Sequence, residues 1–185
     1  MNKTTKAFAL LFTAGLVLAG CGQKQDSTAT TQAQTTATPT TAAPTTVAKA
    51  KTDMPADAKK TVLEASDEAV KAVMTLYYKD DVLLKQDSET TYIISKMEGE
   101  NPLEALKRSS AKTEEKLKDF KGKGFEFKAE QKDDIYKITY SFDYTKLDMQ
   151  KFKEAIPNLN LRDDNTIGYS EFKEALLKGG YKEKQ

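Results

Sequence analysis

From Ser27 to Ala50 the chain is built almost wholly of Thr, Ala, Gln and Pro, with Val47 its one larger apolar residue. A stretch of that kind buries too little apolar surface to offset the entropy of ordering it. It limits everything else, because of 185 residues only about 130 on the C-terminal side remain to build a core. The tract is expected to act as a disordered spacer, stiffened at Pro39 and Pro44. Roughly thirty residues between Cys21 and Asp53 reach on the order of 100 Å when extended, at about 3.1 to 3.5 Å each. One compact domain, residues 53–185, is expected beyond it.

In front of the spacer stands a short basic start, Met1 to Lys6, and then an apolar run from Ala7 to Ala19 broken only by Thr13 and Gly15. This is the pattern of an export signal, too short to span a membrane comfortably as a helix. Leu18-Ala19-Gly20-Cys21 resembles the lipobox at which bacterial lipoprotein precursors are acylated and cut. Small residues at 19 and 20 suit a narrow protease groove, and the Cys21 thiol is the nucleophile that takes the diacylglycerol. Residues 1–20 thus read as a lipoprotein signal peptide and 21–52 as lipidated cysteine plus linker. Buried lipid contributes about 0.8 kcal/mol per methylene, and two or three chains on one residue exceed what stable anchoring needs. The expected place is the extracytoplasmic face of a cell membrane, held by lipid on Cys21. The Thr-rich spacer points to a Gram-positive host.

Composition then narrows the chemistry. Histidine is absent and Cys21 is the only cysteine, so Ser-His-Asp and Cys-His systems, His shuttles and the common zinc ligand sets are all removed. With Cys21 acylated, no disulfide and no free thiol remain. The chain carries 29 basic and 28 acidic residues; leaving out Lys3, Lys6, Lys24, Lys49, Lys51 and Asp26 gives 24 against 27 from residue 53 onward. Nucleic-acid binding, which needs a basic excess on one face, is not expected. Carboxylate-pair hydrolysis stays open because Asp and Glu abound, although no pair is singled out. No catalytic residue, metal or cofactor is expected.

The domain opens as strands. Lys59 to Ala65 is a short one, and Val70 to Tyr78 alternates Val70, Ala72, Met74, Leu76 and Tyr78 onto one face. Turns are expected at Ser66-Asp67-Glu68 and Lys79-Asp80-Asp81, and Val82 to Ser95 reads as a long polar strand with a bulge near Gln86-Asp87. Asn101, Pro102 and Glu104 then give an N-cap, a first-turn proline and a capping box. Leu103, Leu106, Ser110, Thr113, Leu117 and Phe120 follow at helical spacing, and Gly122 is the predicted stop. After Gly124 the alternation of Phe125, Phe127 and Ala129 predicts another strand, and a turn at Lys132-Asp133-Asp134 leads into Ile135 to Tyr144. Asp148 to Ile156 is predicted as a short helix closed by Pro157, and a last helix opens at Tyr169 or Ser170 and ends at Gly179-Gly180. The whole is an α+β domain: three strands, a helix, two strands and two helices, with an antiparallel sheet of about five strands under the helices.

Two patterns invite a functional reading. Asn160 to Phe172 looks somewhat like a calcium loop entering a helix. One register places Arg162 where a carboxylate is needed, and the other leaves Ile167 and Ser170 at unsuitable positions. An Asp/Asn/Gly turn before a helix explains the same residues. The stripe Tyr136, Tyr140, Phe142 and Tyr144 suits a stacking platform or pocket wall as well as the core of a sheet under a helix, and core packing is the favoured reading.

The domain from about Lys59 to Lys182 resembles the YehR-like lipoproteins, a bacterial family of unknown function. The resemblance is carried by Thr61-Val62-Leu63-Glu64, Tyr77-Tyr78-Lys79-Asp80-Asp81, Gly122-Lys123-Gly124-Phe125 and Gly180-Tyr181-Lys182-Glu183. It implies a compact α+β domain with an antiparallel sheet on a membrane tether, and it brings no activity and no site residues. The functional expectation is a non-enzymatic module of the cell envelope that binds a small ligand or an envelope protein. The alternatives are a carboxylate-dependent envelope hydrolase and a calcium-dependent adhesin.

Overall fold

The structure is a computed structural model and describes residues 54–184. The expected signal peptide (residues 1–20), the lipobox residues Leu18 to Cys21 and the expected spacer lie outside the described residues. The first strands are β1 (Lys59–Ser66), β2 (Val70–Lys79) and β3 (Val82–Ile93). Then come α1 (Pro102–Leu117), β4 (Phe125–Lys132), β5 (Ile135–Asp143), α2 (Met149–Ala155), α3 (Tyr169–Lys178) and β6 (Lys182–Glu183).

The strands form one open antiparallel sheet in the order β4-β5-β3-β2-β1-β6. It has six strands rather than the expected five. The added one, β6, is two residues long and pairs with β1 through Leu63↔Glu183 and Glu64↔Lys182. Two residues show no alternation, so nothing in the pattern marks them.

Period-two alternation sends one face of every long strand inward. Leu63, Met74, Leu76, Phe125 and Ile138 are fully buried on that face. The helices α1, α2 and α3 lie over it: Tyr136 meets Ser110 of α1, Phe142 meets Phe152 of α2, and Tyr78 stacks on Tyr169 of α3 at 3.5 Å between ring centres. The other face carries ion pairs such as Lys85–Asp87 and Lys137–Glu89.

Two local expectations change. The irregularity in β3 is at Leu84, where Tyr77 pairs with Lys85 but Tyr78 pairs with Leu83. That extra residue shifts the phase, so Leu83 and Gln86 both point into the core, and no bulge forms at Gln86-Asp87. Asn101 is the N-cap of α1 and Pro102 its first residue, yet no capping box forms. Glu104 instead pairs with Lys107 one turn on. Asp148 does cap α2, accepting from the Lys151 amide at 3.2 Å.

Hairpin turns place Asp80 and Asp81 at φ 48° and 62°, and Asp133 at 50°. Asp tolerates this left-handed region better than most residues, which suits tight two-residue hairpins. At the exit of α1, Gly124 sits at φ 107° with Asp143 O only 2.7 Å from where a Cβ would be. A side chain has no room there.

Candidate functional site

The helix α1 covers the β4–β5 end of the sheet and leaves a groove of about 380 Å³ along its flank. The floor is Phe127, Ala129 and Tyr136, the helix wall is Ser110 and Ala111, and Lys107, Glu114 and Lys128 stand at the rim. Small residues at 110 and 111 keep the helix wall low. That volume is at the lower end of the range of small-ligand sites, and half of the lining residues are polar: Lys107, Ser110, Glu114 and Lys128. Tyr136 donates to Ser110 Oγ at 3.0 Å, a buried contact joining helix to sheet at the groove's inner end.

The four aromatic residues of β5 and its exit take different places. All are buried, with Tyr136 4 % and Phe142 3 % exposed. Only Tyr136 lines the groove. Phe142 packs among Phe125, Tyr144 and Phe152 at ring separations of 5.0, 6.1 and 5.5 Å. Tyr140 packs beside Phe127 and Phe142. Tyr144 donates to Gln86 Oε1 at 2.9 Å, and burial raises its hydroxyl well above the ordinary tyrosine range.

Inward from the groove the covered face turns polar. On β3, Gln86, Ser88 and Thr90 all point into the core with Tyr92 beyond them. The register sets Phe127, Tyr140, Ser88 and Met74 in one row across four strands, and Ala129, Ile138, Thr90 and Ala72 in the next. The polar groups thus lie on β3, two strands in from Phe127 and Ala129, with the buried Tyr140 and Ile138 of β5 between them. Each polar atom left unmet in such a place costs about 1–3 kcal/mol, so a core built only for stability would carry Val or Ile there. By composition the strand reads as simply polar. The missed signal is that Gln86, Ser88 and Thr90 share one parity, with apolar strands on both sides.

The loop that resembled a calcium site is organised around a guanidinium. Arg162 Nη2 meets Asp81 Oδ2 at 2.5 Å, while Asp81 Oδ1 accepts from the Ser170 amide at 2.9 Å and from its hydroxyl at 2.5 Å. The Ser170 contacts foremost, then Arg162, hold the Asp81 carboxyl down at about 2. Asp164 accepts from the Thr166 amide and hydroxyl. Among the described residues no group of three or more His, Cys, Asp or Glu is placed to hold a metal ion. The arrangement is a clasp between the β2–β3 hairpin and the start of α3.

Comparison with known proteins adds a family. A model described as a protein of unknown function (DUF1307) matches residues 59–182, which bears out the resemblance to YehR-like proteins. Among solved structures, the chain is similar to the NMR structure of the YehR protein from E. coli at 24% identity. That match covers 70% of this chain and 93% of that one, with a TM-score of 0.49. It is also similar to the NMR structure of a protein from Streptococcus pneumoniae TIGR4, at 21% identity over 83% of this chain and 99% of that one, with a TM-score of 0.44. No match was found among curated proteins.

Proposed function

The chain belongs to the DUF1307 family of proteins of unknown function, and we propose that it is a lipid-anchored envelope protein whose domain binds a small ligand in the groove beside α1. The reading rests on one observation above the rest: a groove of about 380 Å³ with an apolar floor, a low helix wall and a buried tyrosine–serine contact at its inner end. The absence of histidine supports a binding role over acid–base or nucleophilic catalysis. Basic start, apolar run and the Leu18 to Cys21 box support the anchor, and the Thr/Ala/Pro tract supports a leash that lifts the domain off the bilayer.

Two experiments test it. Mass spectrometry of the protein from bacterial membranes is expected to find an acylated N-terminal Cys21, and an unmodified thiol with the leader intact removes the anchor. For the groove, a thermal-shift screen of the protein in detergent is expected to return ligands whose effect vanishes in Ala111→Trp, which fills the groove from an exposed position. A screen that stays silent, or hits that ignore Ala111→Trp, defeats the binding role.

A further inference from the structure

We propose that the open edge of β4 pairs antiparallel with β4 of a second copy of this chain, about a two-fold axis at Ala129, joining two sheets into one. The inference stands on that edge alone and goes beyond the groove reading above. The two edges of the sheet differ: β6 at one end is two residues long, whereas β4 at the other is eight. Among the described residues, the only main-chain pairing on the outer side of β4 is a bridge from Lys121 to Phe125, where the Gly122 amide donates to the Phe125 carbonyl at 3.1 Å.

The ladder fixes which main-chain groups face outward. The Asp143 amide donates to the Gly124 carbonyl at 2.6 Å, one step before the pair Phe125↔Phe142, so Gly124 and Asp143 are a hydrogen-bonded pair. Alternation from there turns the amides and carbonyls of Glu126, Lys128, Glu130 and Lys132 toward β5. Those of Phe127, Ala129 and Gln131 face the open edge. A strand arriving from outside meets three residues in position to pair.

Charge selects which strand that is. On the uncovered face β4 reads Glu126, Lys128, Glu130 and Lys132, all exposed. Lys128 reaches Glu130 at 2.6 Å within one chain, but with 68 and 49% of their side chains exposed both stay open to a second partner. Lysine on an edge ordinarily turns other strands away. Here each lysine is matched, because a two-fold at Ala129 sets Glu126 of one copy opposite Lys132 of the other and Lys128 opposite Glu130. Opposite charges facing each other across strands support a sheet, and like charges weaken it. The same register pairs Phe127 with Gln131 and Ala129 with its own counterpart, each pair exchanging two hydrogen bonds. Sliding the second strand by two residues either way brings glutamate to glutamate and lysine to lysine, and sliding it by four leaves half of the charge pairs. The edge is therefore complementary to itself in one register.

Sedimentation equilibrium of the full chain in detergent, with hydrogen exchange, tests the pairing. A dimer mass is expected. The amides of Phe127, Ala129 and Gln131 should become protected as protein concentration rises, while those of Glu126, Lys128 and Glu130 are protected throughout. Lys128→Glu sets like charges opposite each other at two places and should weaken the dimer roughly tenfold or more. Glu130→Lys acts the same way, and the two changes together should restore the dimer. Both positions are exposed, so the fold itself tolerates the exchange. A monomer at every concentration, a dimer indifferent to Lys128→Glu, or a double variant that stays weak overturns the inference. So does a monomer whose outward amides are always protected, since another strand, such as the chain's own residues 27–50, would then hold the edge. Absence of the dimer leaves the groove reading standing, because that reading is tested through Ala111.

Discussion

Arg162 holds Asp81 at two points: Nη1 donates to the main-chain carbonyl at 3.1 Å and Nη2 to the carboxylate at 2.5 Å. The same carbonyl accepts from the Tyr169 amide at 2.9 Å, so one turn residue serves both the loop before α3 and the helix itself. The contact spans 81 positions of sequence. It fixes the helix whose Tyr169 stacks on Tyr78 and bonds Thr61 at 2.7 Å.

Acid should loosen this clasp in a defined window. The Asp81 carboxyl lies at about 2 in the folded chain against an ordinary 3.8. Its stabilising contribution is therefore complete above about pH 4 and lost as pH falls toward 2. Denaturant midpoints between pH 2 and 5 are expected to fall less steeply for Asp81→Asn than for the parent, with the variant the weaker of the two at pH 7. Parallel curves would mean that Asp81 carries no such linkage.

Gly168 guards the same contact. A Cβ there would stand 2.5 Å from Arg162 Nη2 and 2.8 Å from its Cζ, although the backbone φ of −68° suits any residue. Gly168→Ala is thus expected to act by pushing the guanidinium off Asp81. Arg162→Ala removes the same interaction, so the double variant should lose no more than the worse single one. Full additivity in urea melts would break that link.

Gly122 and Gly124 both have positive φ, 75° and 107°, but only Gly124 is crowded. Gly122→Ala should cost about 1–2 kcal/mol for the left-handed backbone alone. Gly124→Ala should cost more, roughly 2–4 kcal/mol, because its Cβ meets Asp143 O at 2.7 Å and Leu147 Cγ at 2.9 Å. Chemical denaturation of the pair checks the order, and equal losses would contradict it.

Tyr144→Phe removes the donor to Gln86 Oε1, a fully buried acceptor. The expected loss is about 1–3 kcal/mol. Adding Gln86→Leu should recover part of it, because the stranded amide is then gone. If the second change makes matters worse by its full single-variant amount, the two side chains do not act as a pair.

Where burial alone decides, the sequence is readable. Even positions of β5 point inward because one face is covered, and Tyr136 to Phe142 show it by plain alternation. Asp148 caps α2 through a contact three residues away, well inside the reach of a local pattern. The failures are non-local or against type. Leu84 shifts the phase of β3 in mid-strand, Gln86, Ser88 and Thr90 occupy positions that apolar residues ordinarily take, and β6 has no length to alternate over. In the sequence Arg162 shows only as an obstacle to calcium, because its partner Asp81 is in a hairpin turn far back in the chain. The groove has the same origin: Ser110 and Ala111 look like ordinary helix residues until β4 and β5 arrive beneath them.

The two residues of β6 do more than lengthen the sheet. Without them β1 would be the rim, presenting the main-chain groups of Val62 and Glu64 that now bond Lys184 and pair with Lys182. Bare rims recruit other strands. A chain truncated before Lys182 is left with a template for self-association.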